Sequence, residues 1–392
     1  MKKADSIFTT SVHAGMDRRS HHGAASVPIY NASVFAFEDA AEGAAVHNYE
    51  KHGYFYGRLG NPTQEALEKA VAALEHGEDA IALASGMAAI SSALMSVIRS
   101  GDHLIAPESM YSTSNSLFHY LSDNFGLEIS YVNAKNPANY QAAIKDTTRV
   151  IWIETPSNPL LNITEIEAVT EFARAQEIIT IADNTFATPF NQRPLRLGVD
   201  LSIHSATKYL GGHSDLTAGV VAGSSEFIER IRHSTNKYFG GNIAPQVAWL
   251  VLRGIKTLAL RMRQHNENAS FIADSLSSHP KVKEVFYPGL ETHSNHEVAK
   301  KQMRGFGGMV SFDLGGFEEG KAFMNGLDLI SIATSLGGVE SIAQHSASMT
   351  HAVLSKEERK TAGISEGLIR LSVGIEDKGD IEKDILSALE RL

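Results

Sequence analysis

Seven short apolar runs, at 80–84, 103–106, 127–132, 149–154, 178–182, 201–204 and 218–222, alternate with longer segments of helical period such as 166–175. Runs of this length suit buried strands and are too short for stable helices. Strands that alternate with helices predict an α/β fold, in which a large domain holds a mostly parallel central sheet flanked by helices on both faces. Sheets of this kind bind ligands at the carboxyl ends of their strands. Glu154, Asp183 and Ser205 each stand at or just past such an end, which predicts a single site.

The rest of the chain divides around that core. Residues 1–60 show little periodicity and many Gly, His and aromatic residues, and read as an extended N-terminal arm. Asn61 is placed to cap a helix, with Pro62 in its first turn, Gln64 completing a capping box, and Leu67, Val71 and Leu74 at helical spacing. The pattern changes after about residue 245: a long helical region at 247–276, apolar runs at 282–287 and 308–314, and a closing helix at 380–392. The expected division is an arm at 1–60, a large domain at 61–247 and a smaller C-terminal α/β domain at 248–392.

A chain of 392 residues is long enough for a large core and more than one domain. A formal net charge of −10, with no basic block, excludes a sequence-independent grip on nucleic acid. Zero cysteines exclude disulfides, thiolate metal sites and a cysteine nucleophile. The first residues have no apolar segment of signal-peptide length and no stretch approaches a membrane span, so a cytoplasmic enzyme without membrane contact is expected. The 17 histidines include no pair at zinc-helix spacing, neither His21-His22 nor His345 with His351, and no metal is expected.

Lys208, in Ser205-Ala206-Thr207-Lys208-Tyr209, follows an apolar strand and has two hydroxyls beside it. Burial and nearby positive charge lower a lysine's pKa and free its amine for attack on a carbonyl. Asp183, 25 residues earlier at the end of another apolar run, either caps a turn or holds a ring nitrogen protonated. An amine for an aldehyde and a carboxylate for a pyridine nitrogen are what pyridoxal 5'-phosphate (PLP) requires. Ser85-Gly86-Met87 opens a helix after a strand, where free backbone N–H groups form an anion site; the segment lacks the G-x-G-x-x-G pattern of dinucleotide binding. Tyr56 and Arg58 offer a hydroxyl and a bidentate phosphate contact in an irregular segment. Arg370 is a charge inside an apolar strand-like run and needs an anionic partner. Taken alone, its segment favours an internal carboxylate, Glu376 or Asp377; the alternative is a substrate α-carboxylate.

Together these motifs resemble the Cys/Met-metabolism family of fold-type-I PLP-dependent enzymes. Glu154-Thr155-Pro156-Ser157-Asn158-Pro159, Asp183-Asn184-Thr185, Ser205 to Tyr209 and Arg370-Leu371-Ser372-Val373-Gly374 stand in the family's order and spacing. The resemblance implies that Lys208 carries PLP, Asp183 meets its ring nitrogen and Asn158 its ring hydroxyl. Ser85, Gly86, Met87, Ser205 and Thr207 would hold the phosphate, and Tyr56 and Arg58 would reach it from a neighbouring subunit. That implies a homo-oligomer of dimers sharing active sites, commonly a tetramer. Tyr111 would stack on the ring and act as general acid, and Arg370 with Ser335 would bind the carboxylate of an amino-acid substrate.

The implied reaction is γ-elimination from a homoserine-type amino acid, giving 2-oxobutanoate, ammonia and a thiol. Cystathionine-handling γ-enzymes carry a glutamate just before Ser335-Leu336-Gly337, where this chain has Thr334, and its absence argues against cystathionine. Residues 344–351 and Lys237 resemble the methionine γ-lyase branch, but Ser112-Thr113-Ser114 and Tyr238 depart from that branch around the leaving group. Thr113, Thr334 and Lys237 are therefore the expected substrate contacts. The alternatives are γ-replacement (as in O-acetylhomoserine sulfhydrylases and cystathionine γ-synthases), cystathionine cleavage, or an oxygen-linked substrate such as canavanine. A non-catalytic regulatory module is a further rival, disfavoured because 1–60 carries no basic helical segment.

Overall fold

The computed structural model describes residues 6–17, 19–349, 356–361 and 363–392. Thr350 and His351 of the 344–351 motif, and residues 1–5 and 18 of the expected arm, lie outside the described residues.

Every predicted apolar run in the first two-thirds of the chain is a strand. They are β1 (Asp79–Leu83), β2 (His103–Pro107), β3 (Glu128–Val132), β4 (Thr148–Glu154), β5 (Ile179–Asp183), β6 (Leu201–Ser205) and β7 (Gly219–Gly223). Their order across the sheet is β1-β7-β6-β5-β4-β2-β3. β6, β5, β4, β2 and β3 run parallel, and β7 alone is antiparallel to its neighbours β6 and β1. The reversal has a local cause. No helix intervenes between β6 and β7, so the chain cannot cross over and folds back beside itself. Lys208 sits in that fold-back, which Thr207 pins by accepting from Ala218 N at 3.0 Å.

Alternate side chains of these strands enter different cores. Ile179, Ile181, Leu201 and Ile203 pack beneath the helices Gly86–Val97 and Ser112–Phe125, while Ile151, Ile153 and Ala182 face the helix Ile166–Ala175.

A second sheet holds β8 (Glu284–Phe286), β9 (Met309–Asp313), β10 (Ser331–Ile332), β11 (Ile342–His345) and β12 (Leu368–Ser372), in the order β10-β11-β12-β9-β8. Ile369 and Leu371 of β12 enter its core with Ile272, Leu276, Ile381 and Ile385. The two-residue period of a strand therefore turns Arg370 to the opposite face, toward the first sheet.

Two expectations need correction, and the helical region at 247–276 is borne out in two pieces. The arm is not extended throughout: Ile7–His13 and Ala40–His47 are helices, the first burying Ile7 and Ser11. The stretch at 247–276 is two helices, Pro245–Ile255 and Leu258–Ser277. At the break Arg261 donates to Gly254 O and Tyr209 O, both at 2.7 Å, so the carbonyls freed there stay paired and the Lys208 connection is anchored. Asn61 caps its helix by accepting from Thr63 N at 2.9 Å, but Gln64 does not close a capping box; its amide donates to Ile243 O.

Candidate active site

A cavity of about 520 Å³ opens at the carboxyl ends of the first sheet's strands, under the face of β12 that carries Arg370. It brings together every sequence-predicted site residue except Tyr56, Arg58 and Lys237.

Lys208 Nζ donates to Ser335 Oγ at 2.5 Å. Burial first, and then the charge of Arg370, push its amine down to about 8. Asp183 ends β5 and its carboxyl is held above the usual range by burial, partly offset by hydrogen bonds from Thr185. Thr185 serves both neighbouring strands: its N–H donates to Asp183 Oδ1 at 3.0 Å and its Oγ1 accepts from Ser205 N at 2.8 Å.

Ser85 caps the helix Gly86–Val97, its Oγ accepting from Ala88 N at 3.1 Å. The N–H groups of Gly86 and Met87 have no intrahelical acceptor at such a helix start. A Cβ at Gly86 would lie 2.7 Å from Ser205 Oγ, so only glycine brings this helix end so close to β6. Thr207 completes the rim of this corner. The corner thus offers an anion cradle beside an amine of lowered pKa and a buried carboxylate, and these fit the phosphate, aldehyde and ring nitrogen of PLP.

Arg370 is 4% exposed and its acceptors are all neutral. It donates to Asn158 Oδ1 at 2.7 Å, Gln344 Oε1 at 2.8 Å and Ser335 O at 2.9 Å. The internal carboxylates favoured on sequence grounds are engaged elsewhere, Glu376 with Ser341 and Asp377 at the start of the helix Lys378–Glu390. Burial pushes the guanidinium down to about 10. A buried cation held only by neutral groups is a receptor for an anion. Ser335, which contacts both Lys208 and Arg370, has φ +84, a conformation that costs a non-glycine residue on the order of 1–3 kcal/mol.

Tyr111 is half-exposed at the cavity mouth and precedes the helix Ser112–Phe125. Glu154 Oε2 accepts from its N–H at 2.9 Å, and Glu154 Oε1 accepts from Asn158 N at 3.0 Å. One buried carboxylate thus holds the main chain of Tyr111 and of the residue that contacts Arg370. Burial, then Asp183 opposite it in register, raise the Glu154 carboxyl to about 8. Thr113 and Thr334 line the cavity with Ser112. Sequence reasoning noticed Glu154 only as a polar strand end and assigned no task to Gln344 or Thr185; a carboxylate closing an apolar run was the available signal.

Tyr56, Arg58 and Lys237 form a cluster of their own outside this cavity. Arg58 Nη1 donates to Lys237 O, and its guanidinium lies 5.8 Å from the centre of the Tyr56 ring. Val34, Tyr238 and Phe239 nearby in sequence are 69%, 73% and 64% exposed.

The sequence model of the family described as Cys/Met metabolism PLP-dependent enzyme matches residues 8–390. The chain is 47% identical over 395 residues to the L-methionine gamma-lyase of Fusobacterium nucleatum subsp. nucleatum, with 100% of both chains covered. It is 44% identical over 384 residues to the cystathionine gamma-lyase of Bacillus subtilis, covering 98% of this chain and 99% of that one. Among solved structures, a Campylobacter jejuni protein described as an O-acetylhomoserine (thiol)-lyase superimposes with a TM-score of 0.95 at 32% identity, covering 98% of this chain and 100% of that one. That structure carries N'-pyridoxyl-lysine-5'-monophosphate, a lysine bearing the cofactor. Among the described residues here, no helix is long and apolar enough to cross a membrane.

Proposed function

The chain belongs to the Cys/Met-metabolism family of PLP-dependent enzymes, and from that membership we propose that it is a γ-lyase that, with one water, cleaves methionine to 2-oxobutanoate, ammonia and a thiol, and homocysteine to 2-oxobutanoate, ammonia and hydrogen sulfide. The observation that carries this reading is Arg370, a buried cation with only neutral partners, facing the amine of Lys208 across one cavity. An α-amino acid has the carboxylate and the α-proton that this pair addresses.

When bound, PLP supplies an electron-accepting ring that stabilises the charge left by proton removal. Ser85, Ser205, Thr207 and the N–H groups of Gly86 and Met87 would hold its phosphate, Asp183 its ring nitrogen, Asn158 its ring hydroxyl and Lys208 its aldehyde carbon. Arg370 binds the substrate carboxylate and so fixes which Cα–H points at Lys208. The Lys208 amine, of low pKa, takes the proton from Cα; once it has given that proton up and is an amine again it would take one from Cβ, and water completes the release of 2-oxobutanoate and ammonia. Tyr111 delivers a proton to the departing sulfur. Glu154 keeps Tyr111 and Asn158 in place while this happens.

The choice of leaving group rests on the far wall. Ser112, Thr113 and Thr334 line it with hydroxyls, and among the described residues of the lining the only carboxylates are Glu154 and Asp183, both already engaged with backbone N–H groups. The 47% identical methionine γ-lyase supports the same choice. The test is the release of ammonia and 2-oxobutanoate from methionine, homocysteine, cystathionine, canavanine and O-acetylhomoserine by the purified enzyme. Turnover of methionine is expected; no turnover there, with efficient replacement of the O-acyl group by sulfide, overturns elimination in favour of replacement.

We further propose that Tyr56, Arg58 and Lys237 complete the site of a neighbouring subunit. Their cluster lies outside the chain's own cavity, beside apolar side chains too exposed for a free surface.

A further inference from the structure

A second hollow, of about 310 Å³, opens between the segment around the helix Thr188–Asn191 and the residues that follow the helix His296–Gln302. Four cations line it, Arg193, Arg196, Lys301 and Arg304, and no carboxylate does. Lys301 is already paired, with Glu165 at 3.0 Å and Glu167 at 3.3 Å. The three arginines lack such partners: among the described residues no carboxylate stands within ion-pairing distance of their guanidinium groups. Arg193 Nε is buried without any hydrogen-bond acceptor.

The charges here oppose one another. Burial, and then Arg304, hold the Arg193 guanidinium below its ordinary value, with Arg196 acting in the same direction. Glu75, beneath, partly offsets them at Arg193. Its Oε1 is taken up by His204 at 2.5 Å, Asn184 at 3.0 Å and Ser202 at 3.1 Å, and its buried Oε2 has no hydrogen-bond partner among the described residues. Arg196 and Arg304 are thus left, among the described residues, without a compensating carboxylate. In a chain of net charge −10, three arginines without acidic partners around one hollow are an electrostatic cost unless an anion enters. The planar fork of each suits the oxygens of a phosphate or carboxylate. The volume is at the small end of ligand pockets, on the order of 300 Å³, and fits a compact ligand. Its floor reaches the catalytic region: Gln192 Nε2 donates to Thr155 O at 2.9 Å, one residue beyond Glu154.

We propose that this hollow is a binding site for a small polyvalent oxyanion, separate from the active site and held by Arg193, Arg196 and Arg304. A phosphate ester and a polycarboxylate share the required chemistry.

The test uses the PLP-loaded enzyme, so that the phosphate cradle is filled. Thermal unfolding and isothermal titration are run with inorganic pyrophosphate and with citrate, sodium chloride holding the ionic strength constant. Saturable binding and a raised Tm are expected with at least one probe, and the tighter of the two identifies the ligand's source. Arg196 and Arg304 are exposed, so the double variant Arg196→Gln/Arg304→Gln keeps the fold and the cofactor absorbance. It is expected to bind the probe at least about ten-fold more weakly, the scale of a lost charged hydrogen bond. Neither probe stabilising beyond matched chloride, or equal affinity in the double variant, overturns the proposal.

Discussion

Arg370 and Asn158 are 212 positions apart in the chain, and Arg370 Nη1 donates to Asn158 Oδ1 at 2.7 Å. The bond joins β12 of the second sheet to the loop that leaves β4 of the first, and Glu154 holds that loop in turn. The substrate anchor is therefore positioned by both sheets at once. Arg370→Lys keeps the charge but loses the fork that reaches three acceptors. KM for the amino acid is expected to rise about 10- to 100-fold, from the loss of one or two charge-assisted bonds, with a smaller change in kcat. Steady-state kinetics on methionine read this directly.

Lys208 gives the pH dependence. In the cofactor-free protein its amine titrates near 8. Below that pH it is an ammonium and cannot attack an aldehyde, so covalent uptake of pyridoxal phosphate, trapped with borohydride, rises about ten-fold per unit up to about 8 and then levels. The stability sign follows from the same shift. Between about 8 and the ordinary 10.5 the unfolded chain holds this proton and the folded one does not, so the residue's contribution to stability grows with pH across that window. Arg370 is the second cause of the shift, and Arg370→Gln is expected to move the uptake midpoint upward.

Much of this was legible before any coordinates. The runs at 80–84 and 201–204 lie within one residue of β1 and β6 because short apolar segments between turn residues have few other options. The partners of Lys208 and Arg370 were not legible. Ser335 is 127 positions from Lys208, and periodicity carries no information about which distant loop returns to a strand end. The internal pairing favoured for Arg370 failed for that reason: sequence proximity to Glu376 counted for more than it should have. The helix Ile7–His13 escaped notice because packing on the helix Pro62–Glu75, not its own propensity, orders it.

Gly86 tests the phosphate cradle. An added Cβ would sit 2.7 Å from Ser205 Oγ and 2.8 Å from Ser205 Cβ, so helix and strand must separate. Overpacking of this kind costs about 1–3 kcal/mol. Gly86→Ala is expected to weaken PLP binding about ten-fold and to lower Tm by a few degrees (~4 °C per kcal/mol or less at this size). Equilibrium dialysis and calorimetry measure the two effects; unchanged PLP affinity would remove Gly86 from the cradle.

Thr334 tests the leaving-group wall. It lines the cavity where cystathionine-handling relatives by resemblance carry a glutamate. Thr334→Glu supplies a carboxylate for a distal ammonium, and the ratio of kcat/KM for cystathionine over methionine is expected to rise about ten-fold or more, the scale of one pocket contact. An unchanged ratio would place specificity elsewhere on that wall.

Tyr56 and Arg58 decide whether active sites are shared. If Arg58 serves the neighbouring subunit, Arg58→Ala and Lys208→Ala each abolish turnover alone, yet each supplies what the other lacks. In a hybrid dimer the subunit with Lys208 meets the partner that retains Arg58, so one of its two sites is intact. Random mixing of equal amounts makes about half the dimers hybrid, and about a quarter of the wild-type activity is expected to return after co-refolding or co-expression. Recovery in the mixture with none in either parent supports the shared site. A mixture as inactive as its parents would return Arg58 to a purely local role, holding the Lys237 carbonyl within its own chain.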